Sequence, residues 1–537
     1  MKQPVTFILA AALIFAVLAL PNQPDAIAWS ALQSFPLELP VILLAMLATG
    51  RQWGVPVTLA VLLISATFLK LADIGMLSAY NRTFNPILDA FLIEAGIGLL
   101  SYSIGKALAY LTVIGAVVAM VLTFIAILLS LRVWAGLHLP AYGRVSAAVG
   151  ALAFGGWAVA DAGHQLEYWT FEHSPAGTAR TSTLMFERGT QMQATAVDLA
   201  QFSQSAKQDI YADATGLLDR LDGQDVILIY IESYGRASFD NELYTPTHVG
   251  TMTAAAGPIS DAGFAMKSGW LTSPTAGGQS WLAHGTLSSG LWTSDSGRYH
   301  AMLASDQKSL FHIAQDAGFR TSAVMPAITV AWPESSRMGF EQIFEAADIP
   351  YKGDRFNWVT MPDQFTLATY GDLIGDDPRP DFIQIALISS HAPWVPVPDM
   401  VQWDAVGDGT IFNEMAARGP TPRELWKNRD DVREAYRKAV NYSLQATFAH
   451  VARLGDAAPL IVIVGDHQAA GFVAGSDDRD VPVHMIGPPA LVAMIDSWGW
   501  TDGLVPAPDA PVRGMDSFRN DFIAAFTTPA TVTEVDE

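Results

Sequence analysis

Three apolar runs in this sequence end abruptly on residues that can do chemistry: DVILIYIE closes on Glu232, ALISSH on His391, and LIVIVGDH on Asp466 and His467. A polar residue at the carboxyl end of a buried strand lies where open α/β sheets bind their ligands. Two carboxylates and an imidazole suit a divalent cation, and a hydroxyl held beside such an ion becomes a nucleophile. Ser280, in TSPTAGGQSWLAHG, is the candidate hydroxyl. The expected metal set is therefore Glu232, Ser280, Asp466 and His467, with Ser280 and His391 as the catalytic residues.

Ser280 carries its own local signal. Gly277 and Gly278 permit a tight approach, and the residues from Gln279 onward read as a helix, which places the hydroxyl at or near a helix amino terminus. Backbone N–H groups there favour an anion such as a phosphoryl or sulfuryl group. Taken alone, Ser280 reads equally as an ordinary helix cap. Asp466 could likewise cap a strand end and Glu232 the following turn, but Gly465 directly before Asp466 implies a close approach by another group.

The elements that must position these residues alternate. Strand-like runs at Val226–Ile231, Thr321–Met325, Phe382–Ser389, Leu460–Val464 and Val481–Ile486 are interspersed with helical stretches such as Ser309–Ala317 and Asp430–Leu454. Repeated βα units imply an α/β domain with a mostly parallel sheet, whose carboxyl edge gathers Glu232, His391, Asp466 and His467. This domain is expected over residues 224–526, after a partly helical connector at 163–223 and before a polar tail at 527–537.

The amino-terminal part is of a different kind. Apolar runs at Phe7–Leu20, Leu39–Gly50, Val55–Leu71, Ala107–Leu131 and Val145–Ala160 predict a membrane α-helical bundle of about five spans over residues 1–162. Glu38 and Pro40 interrupt the second, which predicts a helix starting earlier, near Ala26, and bending. The weak cleavage signal after Leu20 favours an uncleaved anchor over a signal peptide. Residues 85–104, apolar but broken by Asp89 and Glu94, read as a helix lying on the membrane or as a sixth span. With a cytoplasmic amino terminus, Lys2, Arg51, Arg132 and Arg144 fall inside and Lys70, Arg82 and Lys106 outside, so the α/β domain is extracytoplasmic.

Charge separates the two parts. Residues 1–165 hold seven Lys/Arg and six Asp/Glu, whereas the remainder sets 24 against 47, a net −23 within the chain's −22. Such a domain does not seek nucleic acid or an anionic membrane surface. Cysteine is absent, which excludes thiolate metal sites and cysteine nucleophiles.

The blocks IESYGRASF, TAGGQSWLAHGTL, SSHAPW and VGDHQ, in this order behind apolar spans, resemble the sulfatase-like branch of the alkaline phosphatase superfamily. Within it the sequence is similar to lipoteichoic acid synthases and to lipid A phosphoethanolamine transferases. The resemblance implies one divalent ion, zinc or manganese, on Glu232, Asp466 and His467, a covalent intermediate on Ser280, and phosphate contact by His391. It also offers His484, in DVPVHMIG, as a substrate-binding candidate, although a core strand histidine fits that position as well. Those transferases generally use Thr where this chain has Ser280. Sulfatases need a C/S-x-P-x-R motif, and Ser273-Pro274-Thr275 lacks its spacing and its Arg.

The reading is thus a metal-dependent phosphotransferase of the cytoplasmic membrane, moving a phospholipid head group, phosphoglycerol or phosphoethanolamine, onto an envelope glycan or lipid acceptor. A membrane-anchored phosphodiesterase and a non-catalytic scaffold are the alternatives. Nothing in the sequence indicates an oligomeric state.

Overall fold

The structure, a computed structural model, describes the chain outside residues 1, 28–33, 81, 91, 94–95, 98–99, 102–104, 172–175, 330–331, 456–458 and 530–537. It comprises two compact units, Met1–Asp198 and Leu199–Glu537.

The five apolar runs of the first unit are all helical: α1 (Lys2–Ala19), α2 (Glu38–Thr49), α3 (Gly54–Tyr80), α4 (Lys106–Ala135) and α5 (Ala141–Gln165). Of these, α3, α4 and α5 are long and apolar enough to cross a membrane, while α1 and α2 are shorter apolar helices. At 30 residues, α4 extends about 45 Å, more than a bilayer's hydrocarbon core. Ile14, Ile42, Met46, Leu63, Ile127 and Leu131 pack between the helices. Leu111, Val117, Val121 and Leu122 face outward on α4, as lipid-facing side chains do.

One expectation for this unit is corrected. Helix α2 starts at Glu38, not near Ala26, because Glu38 is drawn to another task. Its Oε1 accepts the N–H of Ser182 at 2.8 Å in the first turn of α6 (Arg180–Ser205), where a helix has orphan donors and favours a carboxylate. Pro40 is tolerated because it falls in the first turn. The 26-residue helix α6 lies in the stretch expected as a partly helical connector, and the boundary between units falls within it. The helix expected at 85–104 lies in part outside the described residues; its start, 85–90, is a turn in which buried Asp89 takes both Arg82 guanidinium nitrogens and the N–H of Asn85. Lys70 is buried, donating to the carbonyls of Val17 and Leu18 at the end of α1 and to Thr181. Asp73, fully buried, pairs with Arg188 at 2.8 Å.

The second unit is built on a nine-stranded sheet of order β4-β3-β5-β1-β6-β7-β2-β8, with β9 beside β2. Its strands are β1 (Val226–Ile231), β2 (Ala265–Thr272), β3 (Arg320–Met325), β4 (Gln342–Glu345), β5 (Asp381–Ala386), β6 (Leu460–Gly465), β7 (Asp480–Gly487), β8 (Thr501–Asp502) and β9 (Val512–Gly514). The run β4-β3-β5-β1-β6 is parallel, and β7 turns antiparallel against β6. Strand β1 is central, and its period of two serves both faces. Ile227, Ile229 and Ile231 join one core with Tyr436, Val440 and Phe448 of α9 (Arg429–Val451). Val226, Leu228 and Tyr230 join the other with Leu282 and Leu287 of α8 (Ser280–Ser289). The result is a helix-sheet-helix sandwich whose central parallel strands are buried on both faces. Thr527 and Thr528, expected in the polar tail, still bond back to Leu218 and Asp219.

Candidate metal centre and nucleophile

Parallel strands β1 and β6 run side by side, with Ile231 opposite Gly465, so the next residues of both chains emerge together. Glu232, Asp466 and His467 are thereby brought to one point, buried, with one ligand atom from each within 4.8 Å of the others. Their approach is close because Gly465 has no side chain: a Cβ there would lie 1.8 Å from the Tyr234 carbonyl oxygen. The turn after Glu232 is tight as well. Ser233 takes φ of 58°, and its N–H is aimed at Asp466 Oδ1 at 2.8 Å.

Ser280 arrives from the far side of the chain. Gly277, Gly278 and Gln279 have φ of 74°, 141° and 67°, a run of left-handed backbone that only the glycines adopt without strain. Gly277 N–H donates to the Gln468 carbonyl at 2.7 Å and pins this loop beside His467. Ser280 is the first residue of α8, and its hydroxyl does not cap the helix. It donates to Glu232 Oε2 at 2.9 Å and lies 3.4 Å from His467 Nε2.

The electrostatics are those of a cation site. His467 Nε2 is 3.2 Å from Glu232 Oε1 and 3.8 Å from Asp466 Oδ2, while its Nδ1 faces the Gln468 carbonyl at 2.9 Å, which fixes the ring. Burial raises the Glu232 carboxyl, but the His467 imidazolium outweighs it and holds Glu232 below the usual range. Asp466 is pushed well up, by burial first and then by the Glu232 carboxylate. Burial would lower His467, yet Asp466 and Glu232 drive it up to about 9. Two buried carboxylates competing for one proton-bearing imidazole fit a divalent ion, which supplies the positive charge that the imidazole alone must otherwise provide.

His391 follows β5, next to β1, and is half-buried on the same rim. Its charge helps to hold Glu232 down, and its ring stacks on Trp358 at 6.2 Å. The strand ends at Ala386, earlier than expected, because buried Asp363 takes the N–H groups of Ile388 and Ser389 and bends the chain toward the site. Ser390 then ties the loop to β1 through the Glu232 carbonyl at 2.6 Å.

His484 is not part of this site. It is fully buried on β7, with Nδ1 at 2.7 Å from Ser268 Oγ and Nε2 at 3.2 Å from Tyr234 Oη, so both ring nitrogens are engaged in the core. Burial alone pushes it down to about 3, the behaviour of a neutral core histidine. His284, one helical turn after Ser280, lies outside the metal set and packs its ring 3.9 Å from that of Tyr230. Asp363, Ser233 and Gln468 escaped the sequence reading. Asp363, directly after Pro362 at a helix start, had a signal of its own; Ser233 acts through its backbone and through its hydroxyl, which donates to Glu232 Oε1 at 3.2 Å, and Gln468 acts through its backbone.

No curated protein matches the sequence. Among solved structures, the lipoteichoic acid synthase LtaP from Listeria monocytogenes matches at 12% identity and TM-score 0.34, covering 57% of this chain and 73% of that one. The Streptococcus pyogenes phosphoglycerol transferase GacH, in complex with sn-glycerol-1-phosphate, matches at 14% identity and TM-score 0.35, covering 62% and 82%. The periplasmic domain of phosphoethanolamine transferase EptC from Campylobacter jejuni matches at 10% and 0.37, covering 56% and 89%. The sulfatase family model matches residues 224–494, just over half of the chain and inclusive of Glu232, Ser280, His391, Asp466 and His467, and the chain belongs to that family.

Proposed function

We propose that the protein is a metal-dependent, membrane-anchored phosphotransferase that moves a phospholipid head group, phosphoglycerol or phosphoethanolamine, onto an envelope glycan or lipid acceptor. The observation that carries this reading is the Ser280 hydroxyl, held 2.9 Å from the Glu232 carboxylate at the mouth of a buried two-carboxylate, one-imidazole set. Glu232, Asp466, His467 and the Ser280 oxygen would hold a divalent ion, zinc or manganese, which lowers the pKa of the hydroxyl and offsets negative charge in transfer.

Ser280 Oγ attacks the donor phosphorus as its proton passes to Glu232. A bond forms from Oγ to phosphorus, the bond from phosphorus to the diacylglycerol oxygen breaks, and His391 orients the phosphate and protonates the departing alkoxide. An acceptor hydroxyl then attacks the same phosphorus as its proton passes to the now neutral His391, the bond to Oγ breaks, and Glu232 returns its proton to Ser280. The apolar helices of the first unit hold the enzyme at the donor's membrane, with the α/β unit on the extracytoplasmic face.

The test is mass spectrometry of the Ser280 peptide from protein purified out of native-like membranes, with Ser280→Ala as control. A phosphoglycerol or phosphoethanolamine adduct supports the reading and names the donor. An unmodified Ser280, with free head group as the sole product, replaces it with a phosphodiesterase.

A further inference from the structure

The exposed aromatic side chains among the described residues of the second unit are four: Trp281, Trp358, Trp426 and Phe472, at 37, 42, 46 and 38%. Scattered exposed apolar residues need no explanation, but these are not scattered. Trp281 follows Ser280, and Trp358 stacks on His391. Trp426 lies parallel to Trp394 with ring centres 5.9 Å apart and planes within 6°. Phe472 is 5.9 Å from Trp426, in a one-turn helix, Gly471–Ala474, that follows Asp466 and His467 in the chain.

The support beneath Trp426 is built rather than incidental. Trp394 is buried, donates Nε1–H to the Ser390 carbonyl at 2.7 Å and meets Tyr436 edge-on. Tyr436 in turn donates to the Ser233 carbonyl at 2.9 Å, beside Glu232. A flat, exposed indole is thus fixed relative to the catalytic turn.

Beside it opens a cleft of about 440 Å³ lined by Arg429, Asp430, Arg433, Phe472, Ser476 and Asp477. Two arginines donate, two carboxylates and a hydroxyl accept, and the charges cancel. Arg429 lies over the Phe472 ring at 5.8 Å and Arg433 Nε–H donates to the Val473 carbonyl at 3.5 Å, which leaves their remaining N–H groups for a ligand. An anionic head group would meet Asp430 and Asp477, and an acyl chain would find only Phe472. A sugar ring has an apolar C–H face for an indole and hydroxyls, at once donors and acceptors, for the mixed lining.

The structure assigns this surface to the acceptor: a pyranose oligosaccharide stacks on Trp426 and Phe472 and hydrogen-bonds within the Arg429–Asp477 cleft. The assignment rests on the transferase reading for its catalytic meaning but not for the binding itself.

Saturation-transfer NMR on the full-length protein in nanodiscs tests it, with oligosaccharides of glucose, galactose, mannose and N-acetylglucosamine as probes. At least one is expected to bind, with Kd raised tenfold or more by Trp426→Ala and Phe472→Ala and kept within about threefold by Trp426→Tyr; unchanged melting temperature and metal content certify the fold. Binding by none of the four, or binding indifferent to Trp426→Ala, overturns the assignment. Quenching of Trp426 by brominated phospholipid in place of sugar binding overturns it in favour of lipid docking. Sugar binding without any Ser280 adduct leaves the platform standing and removes the transfer reaction, so the two failures are distinguishable.

Discussion

The Ser280 hydroxyl and the Glu232 carboxylate, 48 residues apart in the chain, share a 2.9 Å hydrogen bond at the edge of the sheet. Glu232 cannot both accept this proton and act only as a metal ligand, so its two oxygens divide the work: Oε2 faces Ser280 and Oε1 faces His467. Glu232→Gln keeps the shape but removes the charge and the proton acceptor. Diacylglycerol release from phospholipid is expected to fall about 10²–10⁴-fold, the range for a lost general base, with Ser280→Ala at or below the same level. Activity within tenfold of wild type in either variant would refute these roles.

Gly465 sets how closely the two catalytic turns approach. A methyl group there would sit 1.8 Å from the Tyr234 carbonyl oxygen, a backbone atom that cannot swing away. Gly465→Ala is expected to destabilise the second unit by about 1–3 kcal/mol or more and to pull Ser233 N–H off Asp466. Gly250, in α7 (Thr245–Asp261), has open space around its Cβ position, and Gly250→Ala is expected to be neutral or to stabilise by about 0.5–1 kcal/mol. Chemical denaturation of both variants checks the contrast.

What the sequence disclosed was whatever depends on local pattern. VILIYI and LIVIVG are apolar on every residue, which is how a central parallel strand reads, and the polar residue ending each run marks the sheet's carboxyl edge. Strand β2, AMKSGWLT, was missed because Lys267, Ser268 and Gly269 break any apolar run; it is held by pairing with β7 and β9, partners remote in sequence. The α2 start was misread for the same reason, since the partner of Glu38 is 144 residues away. For His484 the sequence left a substrate contact and a core strand position both open, and the choice rests on two partners remote in sequence, Ser268 and Tyr234.

The buried histidines make stability depend on pH. Burial pushes His248 and His450 down to about 4 and His484 to about 3. The unfolded chain, with an ordinary value near 6.5, therefore binds protons that the fold refuses. Stability from these groups is complete above about pH 6.5 and is lost as pH falls toward 4, or toward 3 for His484, on the order of 3 kcal/mol each for His248 and His450 and about 5 kcal/mol for His484 at roughly 1.4 kcal/mol per unit. The melting temperature should decline steeply across that window, and His484→Gln, which cannot take up a proton, should flatten the decline. A melting temperature that rises between pH 6.5 and 4 would contradict the assignment.

Metal affinity and stability should separate at Asp466. In the metal-free protein this carboxyl is pushed up by burial and by the neighbouring Glu232 carboxylate, so its charge is unwelcome there. Its Oδ1 accepts the N–H groups of Ser233 and His467, bonds that an amide oxygen makes equally well. Asp466→Asn is accordingly expected to leave the stripped protein as stable as wild type, or more so. A divalent ion needs the second carboxylate, however, and the variant should lose the stabilisation that zinc or manganese confers, about 2.7 kcal/mol at a hundredfold excess over Kd. Melting curves of chelator-treated protein, with and without added metal, test both halves. A stripped variant that is markedly less stable would make Asp466 structural, and an intact metal response would remove it from the ligand set.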